Sequence, residues 1–274
     1  MPALFLFAAV ALCFAQGRSV MRLRQVALVA HDLEPVAAQL KAVFRLRVAF
    51  RDPAVAKYGL VNVVMPVGGE FIEIVQPVTA DASAGRYLKR RGGDAGYMLI
   101  FQAADAVVHR MRLAGGGIRL IAKLDTSRYT FTHFHPGDFD GVLVSIDTAG
   151  DGSDWQERFG HWPPAGPEWR SFASPSDVLG IAGAVVQVKN PEAVALRWSH
   201  LLEVERHGTS LSFDGAKVRF VEPVDTDGTG IVGVEIAVRD PAAVLARAAA
   251  SGVPVGSGAA RVGGILFTPV EGHA

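Results

Sequence analysis

Residues 25–32 read Gln-Val-Ala-Leu-Val-Ala-His-Asp, and this short run decides how the chain is organised. Apolar residues, two of them β-branched, suit a buried strand, and an Asp directly after such a run is a helix cap. Beyond Asp32, Val36, Leu40, Val43 and Phe44 recur at i, i+4, i+7 and i+8, the apolar stripe of an amphipathic helix. Residues 60–65 and 71–75 then read as strands around Gly68-Gly69, a hairpin turn.

The same order returns three times. The second copy opens at Tyr97-Met-Leu-Ile-Phe101, and its helix, near Asp105 to Leu113, stops at Gly115-Gly116-Gly117. Its strands are expected over 118–122, 129–134 and 141–146. The third copy runs over 181–188 to Asn190-Pro191, a cap followed by proline at the first helical position. Val194, Trp198, Leu201 and Leu202 give its buried stripe, and Asp214-Gly215 its hairpin. The fourth opens at 232–238, starts its helix at Asp240-Pro241, ends it at Gly252, and has Gly263-Gly264 before the last strand. Four β-α-β-β-β units form an internal repeat, which takes precedence over any local feature.

Between the second and third copies, residues 150–176 show no strand pattern. They hold Pro163, Pro164, Pro167 and Pro175, with Trp155, Trp162 and Trp169, three of the chain's four tryptophans. A polar linker would not carry them. The segment is either a docked connector whose indoles cover apolar edges or a lid over a pocket.

Residues 1–20 are excluded from the fold. The apolar run from Pro2 to Ala15 is too short to span a bilayer comfortably, and no Lys or Arg precedes it as in an ordinary signal peptide. Either Met21 is the true start and the protein is cytoplasmic, or a weak N-terminal signal exports it. Half of the 274 residues are hydrophobic, enough for a sizeable core. Lys plus Arg equals Asp plus Glu at 27 each, which removes the electrostatic reason to expect a nucleic-acid or membrane partner. Cys13 is the single cysteine, so an intrachain disulfide and a cysteine-based zinc site are excluded.

The strand-then-Asp starts (26–32, 185–190, 234–240), the run Phe71-Ile-Glu-Ile-Val-Gln-Pro77, and His135-Pro136 before Gly141-Val-Leu-Val144 resemble the vicinal oxygen chelate superfamily of glyoxalases, bleomycin-resistance proteins and extradiol dioxygenases. The resemblance spans about residues 23–272 without the connector. It implies an α+β fold of four βαβββ modules that pair into two U-shaped mixed sheets with flanking helices. The expected domains are 21–149 and a degenerate second one at 177–274, joined by 150–176.

In the metal-using members of that family, the first and last strands of each paired unit supply His, Gln or Glu to the cup. The matching positions here are Gln25, Glu73, Tyr97 and Ser145, where Glu is usual. In the second cup they are Gly183, Arg219, Gly233 and a residue near Phe267. One carboxylate and one amide do not make a zinc site, and the two-His iron site of a dioxygenase lacks its histidines. The second cup should therefore bind no metal. An i,i+2 pair, His133 and His135, offers a rescue, with Gln25, Glu73 and His133 as an altered metal site; against it, His135-Pro136 opens a turn that its ring would tie down. No cofactor is expected, a divalent metal being the alternative.

Glu73, a lone acid between Ile72 and Ile74, is the expected general base, or else a structural acid paired with Arg86 or Lys89. Tyr97 would act beside it or only fill the core. Gln25, His133, His135, Ser145, Asp147 at the cup rim, and Arg86 are candidates for holding substrate oxygens or anions. His31, His109, His200 and His207 are expected at the surface. Two readings stay open: a lyase or isomerase that moves a proton on a small oxygenated metabolite, and a metal-free protein that sequesters a small molecule. Both imply a small-molecule partner and leave room for a homodimer.

Overall fold

The computed structural model describes residues 21–79, 81–223 and 228–272. Residues 1–20, on which the choice between a signal and a later start falls, lie outside the described residues.

Two mixed sheets carry the chain. The first contains β1 (Met21–Val29), β2 (Leu60–Val67), β3 (Glu70–Pro77), β4 (Ala95–Ala103), β5 (Leu120–Asp125), β6 (Tyr129–Phe134) and β7 (Leu143–Ala149), in the order β2-β3-β1-β4-β7-β6-β5. The second contains β8 (Val178–Gln187), β9 (Arg206–His207), β10 (Ser210–Phe213), β11 (Ala216–Val221), β12 (Gly230–Val238), β13 (Val255–Gly256), β14 (Ala259–Val262) and β15 (Ile265–Glu271), in the order β13-β14-β15-β12-β8-β11-β10-β9. In each sheet an antiparallel pair stands at the centre, β1-β4 or β8-β12, and each member has a parallel neighbour: β3 and β7, or β11 and β15. Each sheet thus joins two half-sheets of like strand connectivity, in an α+β architecture.

The helices are α1 (Leu33–Phe44), α2 (Ser83–Arg91), α3 (Ala106–Gly115), α4 (Pro191–Leu202) and α5 (Pro241–Ala250). Four of these helices share one start. Asp32, Asp105, Asn190 and Asp240 each turn a side-chain oxygen to a backbone N–H of the first turn, satisfying donors that the helix itself cannot.

Three departures from the expected repeat matter. In the first unit a 3-10 turn at Pro53–Tyr58 follows an isolated bridge, Phe50 to Val64, where a further strand would stand. An additional helix, α2, stands between β3 and β4, and at its end Arg91 is buried and donates to the carbonyls of Gly228 and Thr229. Finally, β7 runs on to Ala149 rather than stopping at 146, so Asp147 belongs to the strand and not to a rim.

One continuous core lies between the sheets and their helices. Leu23, Val26 and Leu28 of β1 and Leu99 and Phe101 of β4 join Ile181, Val186, Val234 and Ile236 of the second sheet. Phe101 stacks on Phe213 with ring centres 4.6 Å apart. The opposite face of the first sheet is thereby left to form a cavity.

Candidate functional site

Strand alternation puts Gln25 and Ala27, Phe71 and Glu73, Asn62 and Val64, and Leu143, Ser145 and Asp147 on the inner face of the first sheet. Residues of all seven strands and their loops contribute to this face, and the sheet curls around a cavity of 670 Å³. Gln25, Asn62, Glu73, Tyr97, His133 and Asp147 all line it. That volume suits a small ligand.

Glu73 sits at the centre of the inner face, beside Ala27 on one side and Val64 on the other. It is buried, and its partners are amides rather than Arg86 or Lys89. Gln25 Nε2 donates to one carboxylate oxygen at 2.8 Å and Asn62 Nδ2 to the other at 2.6 Å. Burial pushes the Glu73 carboxyl above its ordinary range, the two amide donors pull it back, and the charge of Asp52 adds to the rise.

Asp147 is 1 % exposed, where a rim position had been expected. It accepts hydrogen bonds from the Tyr129 and Ser145 hydroxyls, one on each oxygen. Burial is the largest influence on it; those two hydroxyls oppose it and the charge on Glu73 reinforces it, leaving the carboxyl pushed up to about 7. Ser145 also lies 3.2 Å from the Thr132 carbonyl oxygen.

Tyr97 lines the cavity from a register shift in β4, where Met98 faces Ala27 and Gly96 faces Leu28. Its ring meets Tyr87 edge-on at 5.3 Å, and burial raises its phenol to about 12. The residue of β4 directly across from Gln25 is the apolar Ile100.

The two histidines separate. His133 lines the cavity, stacked on Phe131 at 4.5 Å, and burial, then Lys57, lowers it to about 4, so it is neutral. His135 lies past the end of β6, because Pro136 cannot continue the ladder. Its Nδ1 accepts the Gly137 N–H at 3.0 Å and caps the Pro136–Asp138 turn, so the i,i+2 pair does not converge on the cup. Arg86 is likewise outside: on α2 it bonds the Asp81 carbonyl and the Ser83 hydroxyl and is not among the cavity's lining residues. His109, expected at the surface, is buried on α3. Among the described residues no group of three or more His, Cys, Asp or Glu side chains is placed to hold a metal ion.

The connector packs against the site: Pro164 lines the cavity, and two tryptophans stand behind it. Trp162 and Trp169 are fully buried, and the Trp162 indole N–H donates to Gln25 Oε1 at 2.8 Å. Trp162 stacks over Phe71 at 6.4 Å and meets Tyr129 edge-on at 5.7 Å. Arg24 fastens the connector from below. Its guanidinium lies 5.2, 5.4 and 5.9 Å from the Phe71, Trp162 and Trp169 rings and donates to the carbonyls of Arg158 and Gly160. The polar roles of Asn62, Tyr129 and Trp162 were not foreseen. For Asn62 a signal exists: a lone amide in the apolar run 60–65, in phase with Val64.

On the matching face of the second sheet, Arg219 and Glu235 pair at 2.8 Å. Gly183 lies between their strands, and a Cβ there would stand 2.7 Å from the Lys217 carbonyl oxygen and 3.1 Å from the Glu235 carboxylate. A partly exposed ion pair crosses this face, beside a glycine with no room for a side chain.

No protein-family model matches the chain, and no curated protein matches it. Solved structures do. The structure of a triple mutant of 4-hydroxymandelate synthase from Streptomyces coelicolor is similar over 86% of this chain and 76% of its own, at TM-score 0.66 and 16% identity. Methylmalonyl-CoA epimerase from Mycobacterium tuberculosis is similar over 48% of this chain and 91% of its own, at TM-score 0.44 and 20% identity. Among the described residues no helix is long and apolar enough to cross a membrane. With two sheets each built from paired half-sheets, and with a structural counterpart over 86% of its length, this chain has the vicinal oxygen chelate fold.

Proposed function

We propose that the first cup binds a small oxygenated metabolite and moves a proton within it, as a lyase or isomerase does, with Glu73 as the base. The observation that carries this is the pair of buried carboxylates in one cavity: Glu73 on β3 and Asp147 on β7, the two parallel neighbours of the central pair. Their surroundings divide the work. Amide donors favour the charged form of Glu73, which can accept a proton from a carbon beside a carbonyl. Asp147, near half-protonated at neutral pH, can return a proton to the carbon or to the developing oxygen. Glu73 ends protonated and Asp147 charged, and exchange with water resets both. Tyr97 and the neutral His133 line the cavity as hydrogen-bond partners for substrate oxygens.

A second reading, metal-free sequestration, draws on the lining itself. Tyr58, Tyr97, Tyr129 and Phe131 offer aromatic surface, and each carboxylate already holds two donors. Turnover separates the two. Protein in D₂O is mixed with short-chain 2-oxo acids and α-hydroxyketones, and deuterium at the α carbon is followed by NMR. Catalysed exchange that Glu73→Gln abolishes supports the enzyme. Saturable binding of a compound that neither protein exchanges supports sequestration.

A further inference from the structure

The amides that hold Glu73 are not free to choose which end they present. An indole N–H only donates, so Gln25 must turn Oε1 to Trp162 and Nε2 to Glu73. A peptide N–H only donates as well. Asn62 accepts the Asp52 N–H on Oδ1 at 2.8 Å, so its Nδ2 must face Glu73. Amide orientation is ordinarily assigned from whichever network fits best. Here two obligate donors, one at each outer end, set the whole chain of hydrogen bonds, and both oxygens of Glu73 meet N–H groups.

We infer that Trp162 and the Asp52 peptide, acting through Gln25 and Asn62, hold two amide N–H groups against Glu73 where metal-using members of this fold place a cation, so that the cup works without a metal and Trp162 is a positioning residue for Glu73. The positioning half rests on the proposed role of Glu73 as base; the metal half does not.

The donor set agrees. Gln25 could ligate only through Oε1, which Trp162 occupies. Across from Gln25 stands Ile100, and Ser145 is turned to Asp147. His133 is stacked on Phe131. A zinc site wants three protein ligands, and the inner face offers two carboxylates, Glu73 and Asp147, each already holding two hydrogen-bond donors. Turning Gln25 or Asn62 into a ligand would require the amide to rotate, which would break its bond to Trp162 or to the Asp52 N–H and leave buried donors unpaired. Trp162, which does not itself line the cavity, therefore reaches Glu73 through a single amide.

The full chain is dialysed against Zn²⁺, Co²⁺, Ni²⁺ or Mn²⁺ and desalted; metal content and the visible Co²⁺ spectrum are then read. Substoichiometric metal and no Co²⁺ band are expected. One metal per chain that is lost in Glu73→Gln overturns the inference; metal that survives Glu73→Gln lies elsewhere and leaves it standing. In parallel, the Glu73 carboxyl is followed by ¹³C NMR against pH, with Glu73→Gln assigning the signal. Trp162→Phe keeps the aromatic wall and deletes the donor, so the Glu73 midpoint should rise by on the order of one pH unit. A folded Trp162→Phe protein with an unmoved midpoint overturns the positioning role, and Gln25→Met tests the same donor should Trp162→Phe fail to fold. Neither readout uses turnover, so a failure here is distinct from a failure of the proton-transfer reading.

Discussion

Glu73 and Asp147 face one cavity from opposite flanks of the central β1-β4 pair, and the charge of the first helps to raise the pKa of the second. Each is held by a pair of neutral donors, amides on Glu73 and hydroxyls on Asp147. Among the described residues, no Lys or Arg is hydrogen-bonded to either. A pocket built this way raises both acids above their ordinary range.

The first consequence is in stability. Asp147 is pushed up to about 7 in the folded chain from an unfolded value of 3.8. Between those values the folded state binds more protons than the unfolded state, so stability falls as pH rises through this window. Glu73, raised in the same direction, adds to the slope. Asp147→Asn should flatten it. Urea unfolding at about pH 5 and about pH 8 should show wild type losing a few kcal/mol between them and the variant losing markedly less. An equal loss in both proteins would refute the assignment to Asp147.

The second is in the pH dependence of any catalysed exchange. With Asp147 as acid, the rate should decline above about pH 7. Tyr129→Phe removes a donor that favours the charged form, so the declining limb should move to higher pH. A limb unchanged in a folded Tyr129→Phe protein would mean that another group supplies the proton.

The fold was legible because its signals are local. Strand runs ending in Asp32, Asn190 and Asp240 mark where a helix must be capped, and the structure caps each of them there. The site was legible in part. Alternation along 71–75 was enough to face Glu73 inward. Its partners were not readable, since Asn62 and Trp162 reach it through register and through a connector with no repeat of its own. Asp147 lies deeper than a rim position because β7 continues three residues beyond 146, and that ladder buries the acid. His135 fell away because Pro136 ends the strand at Phe134, a backbone effect that i,i+2 spacing does not register.

The third concerns the connector. Arg24 is fully buried under three rings and binds two connector carbonyls. Arg24→Met keeps most of the volume but leaves those carbonyls without their charged donor, at about 1–3 kcal/mol each. Limited proteolysis should then cut within 150–176 while the sheets stay intact. Resistance equal to wild type would show that Trp162 and Trp169 alone secure the segment.

The fourth tests the second cup as a closed face. Gly183 has no room for a side chain: a Cβ would sit 2.7 Å from the Lys217 carbonyl oxygen, an atom of the neighbouring strand that cannot swing aside, and 3.1 Å from the Glu235 carboxylate. Gly183→Ala must therefore push β8 and β11 apart or displace Glu235 from Arg219. Because β8 belongs to the core shared by both sheets, the cost should appear in the global unfolding transition, at about 1–3 kcal/mol as for an overpacked interior. Arg219→Ala removes only a partly exposed ion pair and should cost under about 1 kcal/mol. Thermal unfolding of the two variants side by side decides the matter. A Gly183→Ala loss no larger than that of Arg219→Ala would mean that this face yields to a single methyl group, and that its closure is not a packing constraint.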